Sequence, residues 1–357
     1  MSNVIQLNVP SRIATLSERH TALVHSFAAH RRIGDDVFWL KENAELLNIL
    51  ESTGAAPEEA ALDAHRAFYD NVEKRMGFFP QYYRFVLSIT LDLEALGMPG
   101  TKGAQLVDWV ADQGLARSEM SDLQRAEARR LMARRGRDPL PEDAGLEARL
   151  RGFMDRSEAF AMPNKKAAYE LTHIVFYLSE YGRCDPELSA QALQSLEYAG
   201  LLAFLDLNAD LLAEVCVALR YAGHTPPQVW EDWLGVQTHR FAVTSDDTVS
   251  VNDDYHEFLV SNWLLATAGE RSFAKPVTQG RMRFDRAQAH VAPLRELSEA
   301  VFAMDDTRSG SWHAMQGPVA DAISAQALEV LVQAEASTTS FETFFEGFAR
   351  VGMMARA

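Results

Sequence analysis

Hydrophobic positions recur along this chain at intervals of three and four, the spacing that gathers one face of an α-helix. The pattern predicts helices near 15–32, 36–53, 57–75, 80–96, 103–114, 118–135, 144–160, 164–181, 186–199, 208–222, 226–238, 253–268, 285–304, 317–335 and 339–354. Their expected ends carry matching punctuation. Asp185-Pro186 reads as an N-cap followed by proline at the first helical position. Gly54, Gly97, Gly182, Gly200, Gly223 and Gly269 follow apolar helical runs, where a left-handed glycine closes a helix at little cost. Strict alternation occurs only in FAVTSDDTVSVN (241–252), which reads as a short hairpin or an extended loop.

Three helices end alike: FYLSEYG at Gly182, VALRYAG at Gly223 and LLATAG at Gly269. Spacings of 41 and 46 residues correspond to about one helix pair each. The fold class expected is therefore all-α, with antiparallel helix pairs forming a curved or closed α/α array, either solenoid or toroid. GRDPLPEDAG is the best linker candidate, dividing an N-terminal helical region (1–143) from a C-terminal array (144–357) with a central cavity.

Composition narrows the partners. A net charge of −16 argues against nucleic acid and anionic membranes, because both repel an acidic surface. No stretch approaches the roughly 18 apolar residues of a membrane span, and the N-terminus lacks the pattern of a signal peptide. With only Cys184 and Cys216, a disulfide framework is not expected, and a cytoplasmic location is the simpler reading. Residues 117–151 hold nine arginines among seven acids. That balance reads as an amphipathic helix with paired charges, the alternative being a basic binding surface.

Candidate chemistry emerges from helix faces. In YELTHIVFYLSEYG, Leu171, Ile174, Val175 and Leu178 form an aliphatic stripe, whereas Tyr169, His173, Phe176, Tyr177 and Glu180 lie opposite, with Glu170 at the margin. In NADLLAEVCVALRYAG, Asp210, Glu214, Val217 and Tyr221 share the side opposite the aliphatic stripe. In DDYHEFLVSNWLLATAG, His256, Val260, Trp263 and Thr267 fall on one face. His173 and Glu214 each stand nine residues before their terminal glycine, and His256 sits one turn earlier. If the three helices are equivalent members of a ring, these residues converge.

Two imidazoles and a carboxylate can bind Zn²⁺ with an open position, or Fe²⁺ as a facial triad. Without a metal they can act as acid–base groups, or they are simply polar core contacts. Glu170-x-x-His173 and Asp253-x-x-His256 place an acid and an imidazole on one face, similar to the Glu-x-x-His pairs of di-iron bundles. Cys184 and Cys216 rank lower as ligands. Tyr177, Tyr221 and Trp263 would wall the cavity, and Glu170 would orient His173 or add a ligand.

Other histidines and acids carry less. His20, His25 and His30 recur every five residues and so do not share a helical face. The pairs Asp246-Asp247, Asp253-Asp254 and Asp305-Asp306 lack the third acid of a class I terpene synthase motif, with Ser250 and Ser309 standing near its place. SGSWHAMQG (309–317), with His313 beside Trp312, reads as a loop or lid. Phosphate-loop, nucleophile-elbow and zincin motifs are absent from the sequence.

The stretch Thr172, His173, Val175, Phe176, Tyr177, Leu178, Glu180, Tyr181 and Gly182, with the later pair Tyr255-His256, resembles an uncharacterised group of bacterial proteins known as a domain of unknown function. The resemblance covers about residues 165–270 and implies no activity. The functional expectation is a small-molecule enzyme of bacterial secondary or cofactor metabolism, in which His173, Glu214 and His256 bind Zn or Fe or act directly. The alternative is a helical-repeat scaffold for a protein partner, without catalysis.

Overall fold

The computed structural model describes residues 14–32, 36–246, 248, 251–277, 280–287 and 291–351. Its elements are predominantly α-helical, as the periodicity predicts. Val37–Ser52 packs against Tyr83–Ala95, which packs against Asp122–Ala133. That helix contacts Lys165–Leu178, which contacts Ala209–Tyr221, which in turn contacts Tyr255–Thr267. Tyr255–Thr267 then returns to Val37–Ser52. Other helices cover this series from outside: Leu16–Ala29 on Val37–Ser52, Lys102–Asp112 on Tyr83–Ala95, and Ala190–Leu205 on Ala209–Tyr221. Contacts cross the expected boundary near residue 143, where Asp122–Ala133 meets both Leu146–Met154 and Lys165–Leu178, and where Tyr255–Thr267 meets Val37–Ser52.

The Lys165–Leu178, Ala209–Tyr221 and Tyr255–Thr267 helices run in the same direction. Tyr169 reaches Asp210 near their starts, and Trp263 reaches Tyr221 near their ends. Side-chain caps fix two of those starts. Asn164 accepts from Ala167 N, and Asn208 accepts from Leu211 N, each satisfying an amide that the first turn leaves unpaired. Ala190–Leu205 carries the chain back between two of them. It is apolar nearly all round, as suits a helix surrounded by others.

Several expectations are corrected. Asp185-Pro186 does not start a helix: Asp185 Oδ1 accepts from Glu187 N in a turn, and Ser189 caps the helix that follows. Gly200 lies inside Ala190–Leu205, where a Cβ would stand 2.4 Å from the Trp230 ring, so its role is close packing rather than capping. Gly182 does adopt a left-handed φ of 83°. The 57–75 span breaks into short turns of helix, and 317–335 divides into Trp312–Ala322 and Ala325–Ala336. SGSWHAMQG thus leads into a helix rather than forming a free loop. Ala242–Ser245 is a strand, but it pairs antiparallel with the distant Met282–Asp285 and not within 241–252. Asp247 and Ser250 lie outside the described residues.

The arginine-rich region follows the paired-charge reading. Arg149 bridges Asp122 and Asp143, Arg117 meets Glu142, Arg129 meets Asp138, and Arg137 meets Asp108 and Asp112. No helix among the described residues is long and apolar enough to cross a membrane.

Candidate functional site

Four helices contribute to one polar cluster. Ala209–Tyr221 places Asp210 in its first turn and Glu214 one turn later, so both carboxylates share a face. The positive end of the helix dipole favours an acid at Asp210. Tyr255–Thr267 supplies His256 and Lys165–Leu178 supplies Tyr169, Thr172 and His173, while Val37–Ser52 supplies Glu45.

His256 is the centre. Its Nε2 lies 3.4 Å from Asp210 Oδ1 and 3.7 Å from Glu214 Oε1, and its Nδ1 lies 3.3 Å from Glu45 Oε2. One donor atom from each of Asp210, Glu214 and His256 falls within 4.8 Å of the others. Asp210 Oδ1, Glu45 Oε2 and His256 Nδ1 are buried without a hydrogen bond. These spacings exceed the 2.7–2.9 Å of a charge-assisted hydrogen bond. The two distances at Nε2 are close to the edge of a tetrahedral metal shell, about 3.4 Å for bonds of about 2.1 Å, within a donor set spanning up to 4.8 Å.

The other ends of the carboxylates are anchored. Tyr169 donates its hydroxyl to Asp210 Oδ2 at 2.6 Å, and Thr172 donates to Glu214 Oε2 at 2.6 Å. Each acid thus has one oxygen fixed by the protein and one turned toward His256. Glu45 on the far nitrogen of His256 is the arrangement by which a carboxylate orients a metal-binding imidazole.

Electrostatics follow from three acids around one imidazole. Burial alone would lower the His256 pKa, but Glu45, Glu214 and Asp210 outweigh it and raise it well above the ordinary value. Burial would raise Glu214, yet His173 and His256 hold it below the usual carboxylate range. Glu45 is lowered against its burial, chiefly by His256. Asp210 is raised, by burial first and by Glu214 in addition, despite His256. Even with His256 protonated, three carboxylates face one cation here, and a divalent ion would offset that excess.

The residues expected from the sequence divide. Glu214 lies 3.6 Å from His173 Nδ1 and 3.7 Å from His256 Nε2, so all three meet. His173 does not point a free nitrogen at the carboxylates: Nδ1 donates to the carbonyl of Tyr169 at 2.7 Å. The three-donor set that the geometry gathers contains Asp210 in its place. No hydrogen bond engages His173 Nε2 among the described residues, and the side chain is 36% exposed. No hydrogen bond or ion pair joins Glu170 to His173 among the described residues, and the Tyr169 carbonyl does the orienting.

Asp253 turns away from His256 and pairs with Arg31, so the Asp253-x-x-His256 spacing does not converge on one site. Cys216 is buried and Cys184 exposed, neither in the cluster. His25 and His30 meet at 3.1 Å despite their spacing, because His30 lies past the end of its helix. Tyr177, Tyr221 and Trp263 lie further along the same helices. Trp263 donates to Tyr221 Oη at 3.0 Å and packs on Phe176 at 4.8 Å and Tyr181 at 5.8 Å. Trp263 is buried among these rings, so it packs against them rather than facing an open space. Clefts elsewhere, such as one of about 520 Å³ bounded by Gln194, His224 and Trp230, share none of the cluster residues.

Sequence reasoning passed over Asp210 and Glu45 as site residues. Asp210 carried a signal, since it stands four residues before Glu214 on the same face. Glu45 carried none, because 165 residues separate it from Asp210 and only tertiary packing joins them.

In comparisons with curated proteins and with solved structures, nothing matches the chain. One family model matches residues 1–351, nearly the whole sequence and much more than the stretch that carried the resemblance. The chain belongs to that family, described as a Domain of unknown function (DUF6902).

Proposed function

We propose that the protein is a metal-dependent enzyme acting on a small molecule, with Asp210, Glu214 and His256 holding one divalent cation. The observation that carries this reading is the approach of Asp210 Oδ1 and Glu214 Oε1 to His256 Nε2 at 3.4 and 3.7 Å, with the remaining carboxylate oxygens tied back by Tyr169 and Thr172. One imidazole and two carboxylates suit Zn²⁺ or Fe²⁺. An ion held by three protein donors keeps positions open, where it would polarise an oxygen or activate water. His173, with Nδ1 held by the Tyr169 carbonyl and 3.6 Å from Glu214, would orient that carboxylate from its outer side.

We read the cyclic order of packing as an α/α toroid, with the site where the starts of its inner helices meet. Two unpaired cysteines, one of them exposed, suit a reducing, cytoplasmic setting. A scaffold role has one observation in its favour. Phe78 and Phe79 are exposed beside a cleft of about 760 Å³ that also includes Phe68, Asn71 and Lys74.

Titration of Zn²⁺, Mn²⁺ or anaerobic Fe²⁺ into chelator-treated, tag-free protein tests the metal. One equivalent per chain is expected for wild type and for His173→Ala, and none for Asp210→Asn/His256→Ala. Wild-type protein that binds none of the three ions overturns the proposal.

A further inference from the structure

Arg130 stands apart from the other arginines of its region. Of the nine between residues 117 and 151, the other eight each form an ion pair with a carboxylate. Arg130 forms none among the described residues, although it is only 5% exposed, and its Nε and Nη2 are buried without a hydrogen-bond partner. A guanidinium taken out of water without a partner costs several kcal/mol, of the order given for an uncompensated buried charge.

The nearby acids are already engaged. Asp92, which senses Arg130, is bound by Arg134 at 2.6 Å, and Glu127 is bound by Arg84. The guanidinium lies 4.2 Å over the Tyr181 ring, a cation–π contact that fixes its plane and leaves its edge donors free. Arg31, the comparable buried arginine, has Nε, Nη1 and Nη2 engaged by Glu42, Asp253 and the Met282 carbonyl.

Arg130 is also connected to the candidate site. Tyr181 packs on Trp263 at 5.8 Å and on Phe176 at 5.8 Å, and Phe176 packs on His173 at 5.6 Å. Tyr177, one turn after His173, feels both Arg130 and Glu127. A short run of aromatic rings therefore lies between the acid–imidazole cluster and an unpaired cation.

We propose that Arg130 is an anion-binding group for a small molecule bearing an oxyanion, carboxylate or phosphate, held by the Arg130 fork. Planar bidentate recognition of an oxyanion is what a guanidinium does best. In a chain of net charge −16, a buried unpaired arginine gives an anion a local reason to enter. Anion binding at Arg130 does not rest on the metal reading above.

The test is calorimetric titration of inorganic phosphate, and separately of acetate, into the metal-free full-length chain, with acetamide as the neutral control. Metal-free protein is used because an oxyanion could otherwise bind the cation itself. Binding of phosphate, acetate or both is expected for wild type, and the stronger of the two names the class. Arg130→Met should weaken that binding at least tenfold while its metal titration matches wild type. Arg130→Lys keeps the charge and should fold if the Met variant does not, with binding weakened by loss of the fork. Wild type that binds neither anion overturns the proposal, as does undiminished binding by a folded Arg130 variant. Arg130-dependent anion binding with no metal uptake would sink the metal reading and leave this one standing; metal uptake without it would do the reverse.

Discussion

Two charge clusters, one fully buried and one half-buried, sit about one helical turn apart and are built oppositely. Glu42 and Asp253 close on Arg31 at 2.8–2.9 Å, with Arg31 also donating to the Met282 carbonyl and lying against the rings of Phe27, Tyr255 and Phe284. Three residues further along the chain from Glu42 and Asp253, Glu45 and His256 belong to the second cluster, where atoms face one another at 3.3–3.7 Å and three of them lack hydrogen bonds. The first cluster is complete within the protein. The second has an excess of acid and donor spacing suited to an added ion. The contrast teaches that burial of charge alone does not mark a site; incompleteness does.

The largest effect should come from breaking the complete cluster. Arg31→Met leaves Glu42 and Asp253 buried with one partner fewer, and urea unfolding should show a loss of about 3–5 kcal/mol. Glu214→Gln in the second cluster removes a carboxylate that two imidazoles favour but leaves Asp210 and Glu45 on His256, so the loss of metal-free stability should be smaller than for Arg31→Met. Equal losses for the two variants would erase the distinction.

Two histidines sharpen it next. His65 Nε2 donates to Asn43 Oδ1 at 2.7 Å, and burial pushes its pKa down to about 3, whereas the acids around His256 push that one up. Because His65 is depressed in the folded state, the unfolded chain takes up the proton first. Stability is then fully present above about pH 6.5 and is lost as pH falls toward 3, by up to about 4 kcal/mol at 1.36 kcal/mol per unit. Unfolding free energies measured across that window should fall in wild type and flatten in His65→Gln; an unchanged acid limb in the variant would assign the loss elsewhere.

Smaller effects should separate ligands from supports. Zn²⁺ at 100 times its Kd should stabilise wild type by about 2.7 kcal/mol, seen as a rise in thermal midpoint that His256→Ala lacks. Glu45→Gln keeps all three donors but loosens the His256 ring, so metal affinity should drop about 10–100-fold with binding retained. Tyr169→Phe removes one neutral donor to Asp210, for which about 1 kcal/mol in metal-binding free energy is expected by calorimetry.

Most helices were legible because burial on one side imposes a 3.6-residue period, and periods survive in sequence. The interiors of Lys165–Leu178, Ala209–Tyr221 and Tyr255–Thr267 were read within a few residues. Their boundaries were less legible: Asp185-Pro186 has the residues of a cap, yet local turn hydrogen bonding held it out of the helix. The meeting of His173, Glu214 and His256 followed from assuming equivalent helices. What that assumption could not supply was the His173 rotamer, which sets Nδ1 on its own helix backbone, and the packing that brought Asp210 to His256.

The sequence by itself determined an acidic, helical chain whose polar residues are sorted to one side of three apolar helices. Only the tertiary structure decided which of those residues meet. Glu45 joins His256 from a helix more than 200 residues earlier, Asp253 is diverted to Arg31, and Arg130 is turned inward without a carboxylate. The physical reason is that a helix face records what must be buried, through a short-range repeat. Pairing between faces depends on angles and distances that no local pattern encodes.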